Sequence, residues 1–392
     1  MKITDIETHF VQSDIPTSEY GLTGWLFTTV HTDEGITGLG ESGAWGFLET
    51  SEQAIQTFRQ YLIGEDPLRR DHHWQYLYRN SHFRGAALMG ALSAIDIALW
   101  DIAGKHYDAP VYELLGGKTR DKARAYVHIF GDSTDILVDR CVAAKDDGFT
   151  AVGHLSPLLD SPRDHPYSET HAEFLTDAAE RVRRFREAVG SDVDLCIEIH
   201  RRLDPHQAIA LAGKIEPYNP MFYEDPIRPE NFDAMAHVAD QIRIPIATGE
   251  RLHTSHEFEM LLRRNAVDYI RPNVCLAGGL THTKKIAGLA EAHYANVVPH
   301  NPLSPVCTAA SLQLGASIPN LAIQEFPYRP DKGRAPGRDI LTEPLEFEDG
   351  YLLIPDKSGI GVELTDEALA DTSYEPRDIN TRTHEDGSVV DQ

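Results

Sequence analysis

Cysteine is scarce in this chain, and the four present, Cys141, Cys196, Cys275 and Cys307, form no CxxC pair. Neither a disulfide framework nor a zinc cluster is indicated, and a reducing cytoplasm is the expected compartment. Positive charge is also short: 36 Lys and Arg stand against 61 Asp and Glu, a formal net charge of -25, with Arg outnumbering Lys. A surface of that sign repels nucleic acid and anionic membranes, so neither is an expected partner. An acidic, Lys-poor surface on an ordinary globular composition fits a protein kept soluble in a salt-rich cytoplasm, a halophilic habitat. Long apolar runs are missing too. The longest, Ala86 to Trp100, is broken by Ser93 and Asp96, and Met1 to Asp5 lacks the apolar core of a targeting signal, so no membrane span is expected.

What is present is enough for a large core. A chain of 392 residues, 41% of them hydrophobic, accommodates one barrel-sized domain and a smaller one. Residues 1–118 read as a small α+β capping domain: strand-like patterning from Ile3 to Gly40, then helical periodicity at Ser51 to Ile63, Trp74 to Arg79 and Gly85 to His106. Gly38 to Gly43 matches GxGxxG but lies in a hairpin region without a βαβ unit, so no dinucleotide site is expected. Ser13 to Thr23 and Ser42 to Thr50 read as two flexible loops.

From residue 119 the pattern repeats. Apolar strands with polar ends fall at Ala125 to His128, Ala151 to Leu155, Leu195 to His200, Met221 to Glu224, Ile244 to Glu250, Tyr269 to Asn273, Asn296 to His300 and Leu321 to Glu325. Their spacing is about that of one strand, one helix and two short loops, and eight such units close a parallel α/β barrel of the TIM type. The barrel is expected over 119–345, with a long loop at Ser156 to His171 after its second strand, and 346–392 is expected to return to the capping domain.

Chemistry gathers at the strand ends, where such barrels work. Glu198, Glu224 and Glu250 end three successive strands, and three converging carboxylates repel one another unless a hard divalent cation lies among them. Oxygen-only ligands suit Mg2+. Glu198 and His200 are two apart on one strand and so face one cavity. His200 and His300 are expected to serve proton transfer beside the metal. Glu325, if burial raises its pKa, would donate a hydrogen bond to a developing oxyanion. The other histidines, His154, His165, His206 and His253, are assigned to the surface or to supporting positions.

Ala91 to Lys105, continuing through Pro110 to Leu114-Leu115-Gly116-Gly117, resembles the signature of the mandelate racemase and muconate lactonizing group of the enolase superfamily, and Tyr223 to Pro226 and Thr248 to Arg251 resemble its metal-binding strands. Within it, Glu198 to Leu203, Asp268 to Arg271, Ala277 to His282, Leu303 to Cys307, Ile323 to Glu325, Tyr374 to Pro376 and Glu385 to Gly387 are most similar to acid-sugar dehydratases of the mannonate dehydratase type. The resemblance implies a homo-oligomeric hydro-lyase acting on a small sugar acid by way of an enediolate. Glu198, Glu224 and Glu250 would hold Mg2+, His200 would protonate the departing β-hydroxyl, and His128, Arg271, His300 and Glu325 would surround the substrate. Two departures stand out. Where the subgroup carries an Arg on the second strand, assisting a loop Tyr as base, this chain has Gly153, and Tyr167 is the only Tyr in the following loop. Where the galactonate dehydratase type carries an Asp activating the seventh-strand His, this chain has Asn273. The α-proton base is therefore expected to be His300 or Tyr167, with epimerisation or cycloisomerisation at the α-carbon, or a binding protein of reduced activity, as the alternatives.

Overall fold

The structure, a computed structural model, describes residues 1–15, 24–159, 167, 170–370, 374–376 and 381–390. The chain opens as an antiparallel sheet of β1 (Ile3–Gln12), β2 (Gly24–Thr32) and β3 (Thr37–Ser42), followed by α1 (Leu48–Leu62), α2 (Arg70–Asn80), α3 (Ala86–His106) and the short α4 (Val111–Leu114). Helix α3 is apolar around its circumference because nearly all of it is buried, between this sheet and the barrel. Among the described residues it alone is long and apolar enough to cross a membrane, and its burial makes it a core helix. Strand β3 lies so close to it that a Cβ on Gly38 or Gly40 would stand 2.1 or 2.0 Å from a carbonyl oxygen of α3. The GxGxxG match is thus a packing seam.

The barrel follows as β4 (Lys122–His128), α5 (Thr134–Asp146), β5 (Ala151–Leu155), α6 (His171–Val189), β6 (Asp194–Glu198), α7 (Pro205–Ile215), β7 (Phe222–Glu224), α8 (Phe232–Gln241), β8 (Ile246–Thr248), α9 (Ser255–Leu262), β9 (Tyr269–Ile270), α10 (Gly279–Ala292), β10 (Asn296–Val297), α11 (Pro305–Ser317) and β11 (Gln324–Phe326). Strands β4 to β10 pair in sequence order, β11 pairs with β4, and a parallel bridge from Val297 to Leu321 closes the ring. Eight complete strand–helix units are not formed, because among the described residues no helix follows β11 in the ring. The chain runs instead into a hairpin, β12 (Phe347–Glu348) and β13 (Tyr351–Leu353), and β13 adds antiparallel to the start of β4.

The C-terminal segment therefore joins the barrel first and the capping domain second. Gly359 bridges to Pro110, α12 (Asp366–Ala370) lies against β1, and Tyr374 stacks on Phe10 with centroids 4.9 Å apart. Buried Asp101 ties the parts together, accepting from Leu39 N at 2.9 Å and Ile360 N at 2.8 Å, and Asp96 accepts from Thr281 N of α10 at 2.9 Å.

Two loop expectations resolve differently. Residues 16–23 of the first lie outside the described residues, as do 160–166, 168 and 169 of the loop after β5. Ser42 to Thr50 is no flexible loop. Its first residues are buried against the barrel, Gly43 N donates to Cys275 O at 2.7 Å, and α1 has begun by Leu48. Local polarity hid this, because the partner surface is remote in sequence.

Inside the barrel, Tyr126, Ala151, Cys196, Phe222, Ala247, Val298 and Ile323 form an apolar layer, with Tyr269 packed against it. Two residues further along each strand, the pleat returns the next side chain to the interior. Those positions are His128, Gly153, Glu198, Glu224, Gly249, Arg271, His300 and Glu325. The apolar plug supports a polar ring at the carboxyl end.

Candidate active site

Six of the eight ring positions carry polar side chains, and the two glycines hand over to the next residue. At β8, Gly249 has φ +131, and Glu250 follows as the third carboxylate. Glu198, Glu224 and Glu250 each present an oxygen within 4.8 Å of the others. Both Glu224 oxygens are buried with no aligned hydrogen-bond donor. Burial, reinforced by Asp225 and Glu250, pushes the Glu198 carboxyl up to about 8. Burial also raises Glu224 well above the carboxylate range, despite Arg271. Burial would raise Glu250 too, but Arg201, His300 and Arg271 outweigh it and hold it at about 2. Carboxylates this close and this poorly solvated fit a divalent cation.

Two arginines partly offset the charge. Arg201 donates to Asp225 at 2.7 Å and also bonds Glu250, while Arg271 has its Nε 2.5 Å from Glu224 Oε1 and donates to Tyr126 OH at 2.6 Å. Arg271 also donates to Glu325, which accepts from Asn301 N at 2.7 Å and from His128 Nε2 at 2.7 Å. Burial opposes ionisation of Glu325, yet Arg271, His300 and His128 hold it well below the usual range. The expectation of a protonated Glu325 donating to an oxyanion is thereby corrected: it is an ionised acceptor.

His200 stands beside the triad, but not by strand alternation. The strand ends at Glu198, and His200 and Arg201 adopt left-handed backbone with φ 54 and 64. The His200 amide donates to Glu198 Oε1 at 2.6 Å, which ties the imidazole's position to the carboxylate. Burial, with His154 and Arg201 nearby, keeps the His200 imidazole well below the usual range.

His300 is held from behind. Cys275 N donates to Asn273 Oδ1 at 2.8 Å, which fixes the amide so that its NH2 faces His300 Nδ1 at 3.0 Å. Nδ1 accepts, so in the neutral ring Nε2 carries the hydrogen, and it lies 3.4 Å from Glu250 Oε2. An aspartate would accept from Nδ1–H and leave Nε2 bare. Asn273 therefore inverts the tautomer and makes the site-facing nitrogen a donor.

Of the two places expected for His154, the surface or a supporting position, the structure gives the second. Alternation from Gly153 would turn it outward, but the β5–β6 register shifts between Val152 and Leu155 and His154 has φ 48. Its ring meets His128, Phe130 and His200 at centroid separations of 5.1, 4.5 and 4.4 Å. A ligand atom of His154 lies within 4.8 Å of those of Glu198 and His200, and likewise of His128 and Glu325. Burial, with His128 beside it, holds its imidazole well below the usual range. Gly153 itself has no room for a side chain, since a Cβ there would meet the Tyr126 ring at 2.3 Å. A ring position that reads as glycine was the available signal that the next residue would take over.

Tyr167 is tied to the C-terminal tail through its main chain. Its N donates to Thr383 O and its O accepts from Glu385 N, both at 3.2 Å, in a bridge to the C-terminal tail. His206 lies beside His171 and His253 at the start of α9, while His165 is outside the described residues.

Residues 20–116 match the family profile described as mandelate racemase / muconate lactonizing enzyme, N-terminal domain, and 137–368 match enolase C-terminal domain-like. The D-galactonate dehydratase of Variovorax paradoxus is 36% identical and that of Xanthomonas euvesicatoria pv. vesicatoria 34%, each alignment covering all of both chains. An enolase from Agrobacterium radiobacter with bound Na and L-malate shares 30% identity with a TM-score of 0.89, and a mandelate racemase/muconate lactonizing enzyme-like protein from Roseovarius sp. TM1035 shares 31% with 0.88, both over the full length of each chain. The chain belongs to the mandelate racemase / muconate lactonizing enzyme family of the enolase superfamily.

Proposed function

We propose that the protein catalyses the Mg2+-dependent dehydration of an aldonate, such as galactonate, mannonate or gluconate, to the 2-keto-3-deoxy acid. The protein is an acid-sugar dehydratase, a hydro-lyase, as its curated relatives are named. The observation that carries the finer reading is the convergence of Glu198, Glu224 and Glu250 from successive strands with His200 tied to the first of them. An oxygen-only set of three converging carboxylates favours Mg2+ over softer ions. When bound there, Mg2+ would hold the substrate carboxylate and offset the negative charge that develops as the α-proton leaves.

The chain's own residues supply the rest. His200, which the loaded site must bring to its imidazolium form against the burial that disfavours it, gives its proton to the β-hydroxyl, which departs as water. The Arg271 guanidinium presents a fixed positive charge and the Nε2–H of neutral His300 a hydrogen-bond donor toward the carboxylate end of the substrate, in a site where they need no reorganisation. Glu325 and His128 hold Arg271 in place. Assembly as a homo-oligomer in the cytoplasm belongs to the same proposal.

The test is a screen of aldonic and aldaric acids with Mg2+ in concentrated potassium chloride, detecting 2-keto-3-deoxy products as semicarbazones. Product from an aldonate, lost in His200→Asn protein that still binds metal, is the expected result. Exchange of the α-hydrogen for deuterium without loss of water would overturn it in favour of epimerisation.

A further inference from the structure

The sequence leaves two candidates for the α-proton base, His300 and Tyr167, and the structure turns against the first. Asn273 leaves a hydrogen on the site-facing nitrogen of His300. Tyr167 has its main chain bridged to the C-terminal tail. A base needs a bare lone pair within reach of the carbon it deprotonates. Among the described residues one histidine without another assignment meets that need in the tautomer with hydrogen on Nδ1. His154 Nε2 is buried with no hydrogen-bond partner, and its ring lies against that of His200. It reaches the site only because β5 breaks register after Gly153, and Tyr126 fills the space that a longer side chain at Gly153 would use.

We propose that His154 is the base that removes the α-proton, and that His300 serves as a hydrogen-bond donor. The inference rests on the dehydration reading and completes it. The C2–H bond breaks and its proton passes to His154, and the electron pair moves toward the carboxylate and then expels the C3 oxygen, which takes a proton from His200 and leaves as water. The enol so formed takes a proton at C3 and gives up its hydroxyl proton to become the 2-keto acid. His154 has gained one proton and His200 has lost one, so transfer between the adjacent rings, directly or through water, restores the pair. Base and acid stand on neighbouring strands β5 and β6, so they approach the same face of the C2–C3 bond, and the elimination is syn. A base at His300, four strands from β6, would approach from across the barrel.

The test uses the full-length, Mg2+-loaded protein and whichever acid the wild type dehydrates. His154→Ala should lower kcat about 1,000-fold while leaving the dissociation constant for Mg2+, measured by calorimetry, within about threefold. Added imidazole should restore at least about tenfold of the loss, which a merely structural role would not allow. His300→Gln, which keeps a donor, should lose no more than about tenfold. Should His154→Ala fail to fold, His154→Gln takes its place, with loss of α-hydrogen exchange in D2O, followed by NMR, as the readout. A His154 variant within about tenfold of wild type, or a His300→Gln protein that loses as much as His154→Ala, would overturn this assignment and leave the dehydration reading standing. A wild type that dehydrates no acid would overturn both.

Discussion

Two walls face each other across the carboxylate triad, and they are built differently. On the wall from β9 to β11, Arg271, Asn273, His300, Asn301 and Glu325 are joined by hydrogen bonds that run back to the backbone at Cys275 and Asn301. On the wall from β5 to β6, His154 is held by ring packing against Phe130, His128 and His200, and its Nε2 has no hydrogen-bond partner. A locked network suits groups whose task is to present fixed charge to a transition state. Groups that exchange protons need lone pairs left uncommitted, and packing can hold a ring without consuming them. The division of labour between electrostatics and proton transfer is written into how each wall is held.

The largest effect should come from removing what both walls share. Glu224→Gln should weaken Mg2+ binding by more than about 100-fold, beyond the range for supporting groups, as read by calorimetry, with turnover lost. Next, the proton-transfer wall should respond more strongly than the locked one. His200→Asn should lower kcat by about 100- to 10,000-fold with Mg2+ affinity retained, whereas Asn273→Ala should cost no more than about tenfold. Equal losses in steady-state kinetics would erase the contrast. Asn273→Asp sharpens it, because a carboxylate there accepts from Nδ1–H, bares His300 Nε2 and opens a second route whose α-hydrogen exchange would survive His154→Gln.

Smaller effects concern what lies under the walls. Gly153→Ala drives a Cβ into the Tyr126 ring and should destabilise the fold by about 1–3 kcal/mol, a lower melting temperature that Tyr126→Leu relieves in part. Glu41, buried beneath the cap, accepts from Ser304 Oγ and Cys307 N, and burial pushes its carboxyl up to about 7. Because its folded-state value lies above the unfolded one, the fold favours the protonated form, and stability is lost as pH rises from about 4.5 to about 7. A glutamine cannot ionise. The melting temperature of wild type relative to Glu41→Gln should therefore fall between pH 5 and 8, and a constant difference would remove Glu41 as the cause.

Much of this was legible in the sequence, for a reason that also marks where legibility stopped. Strand spacing and polar strand ends disclosed the barrel and brought out Glu198, Glu224 and Glu250, because a regular pleat delivers regular positions to one ring. The way His154 reaches the site was not legible, since it enters through a break in that regularity, a left-handed residue after a glycine, and alternation then predicts the wrong face. Ser42 to Thr50 escaped because its burial depends on Cys275 and Asn273, far along the chain. The tautomer of His300 was not legible either. The sequence showed Asn273 but not the Cys275 amide that decides which end of the Asn faces the ring.

The bridge between Tyr167 and the tail at Thr383 to Glu385 bears on the order in which the molecule is made. A ribosome adds roughly 5–20 residues per second, so Tyr167 waits on the order of ten to forty seconds for the tail segment it bridges to. During that interval β4 to β11 can form and close, and hairpin β12–β13 can dock, while the Tyr167 bridge is still missing. The Tyr167 bridge is thus a late event in synthesis, and a nascent chain stalled before Thr383 would hold a closed barrel without it.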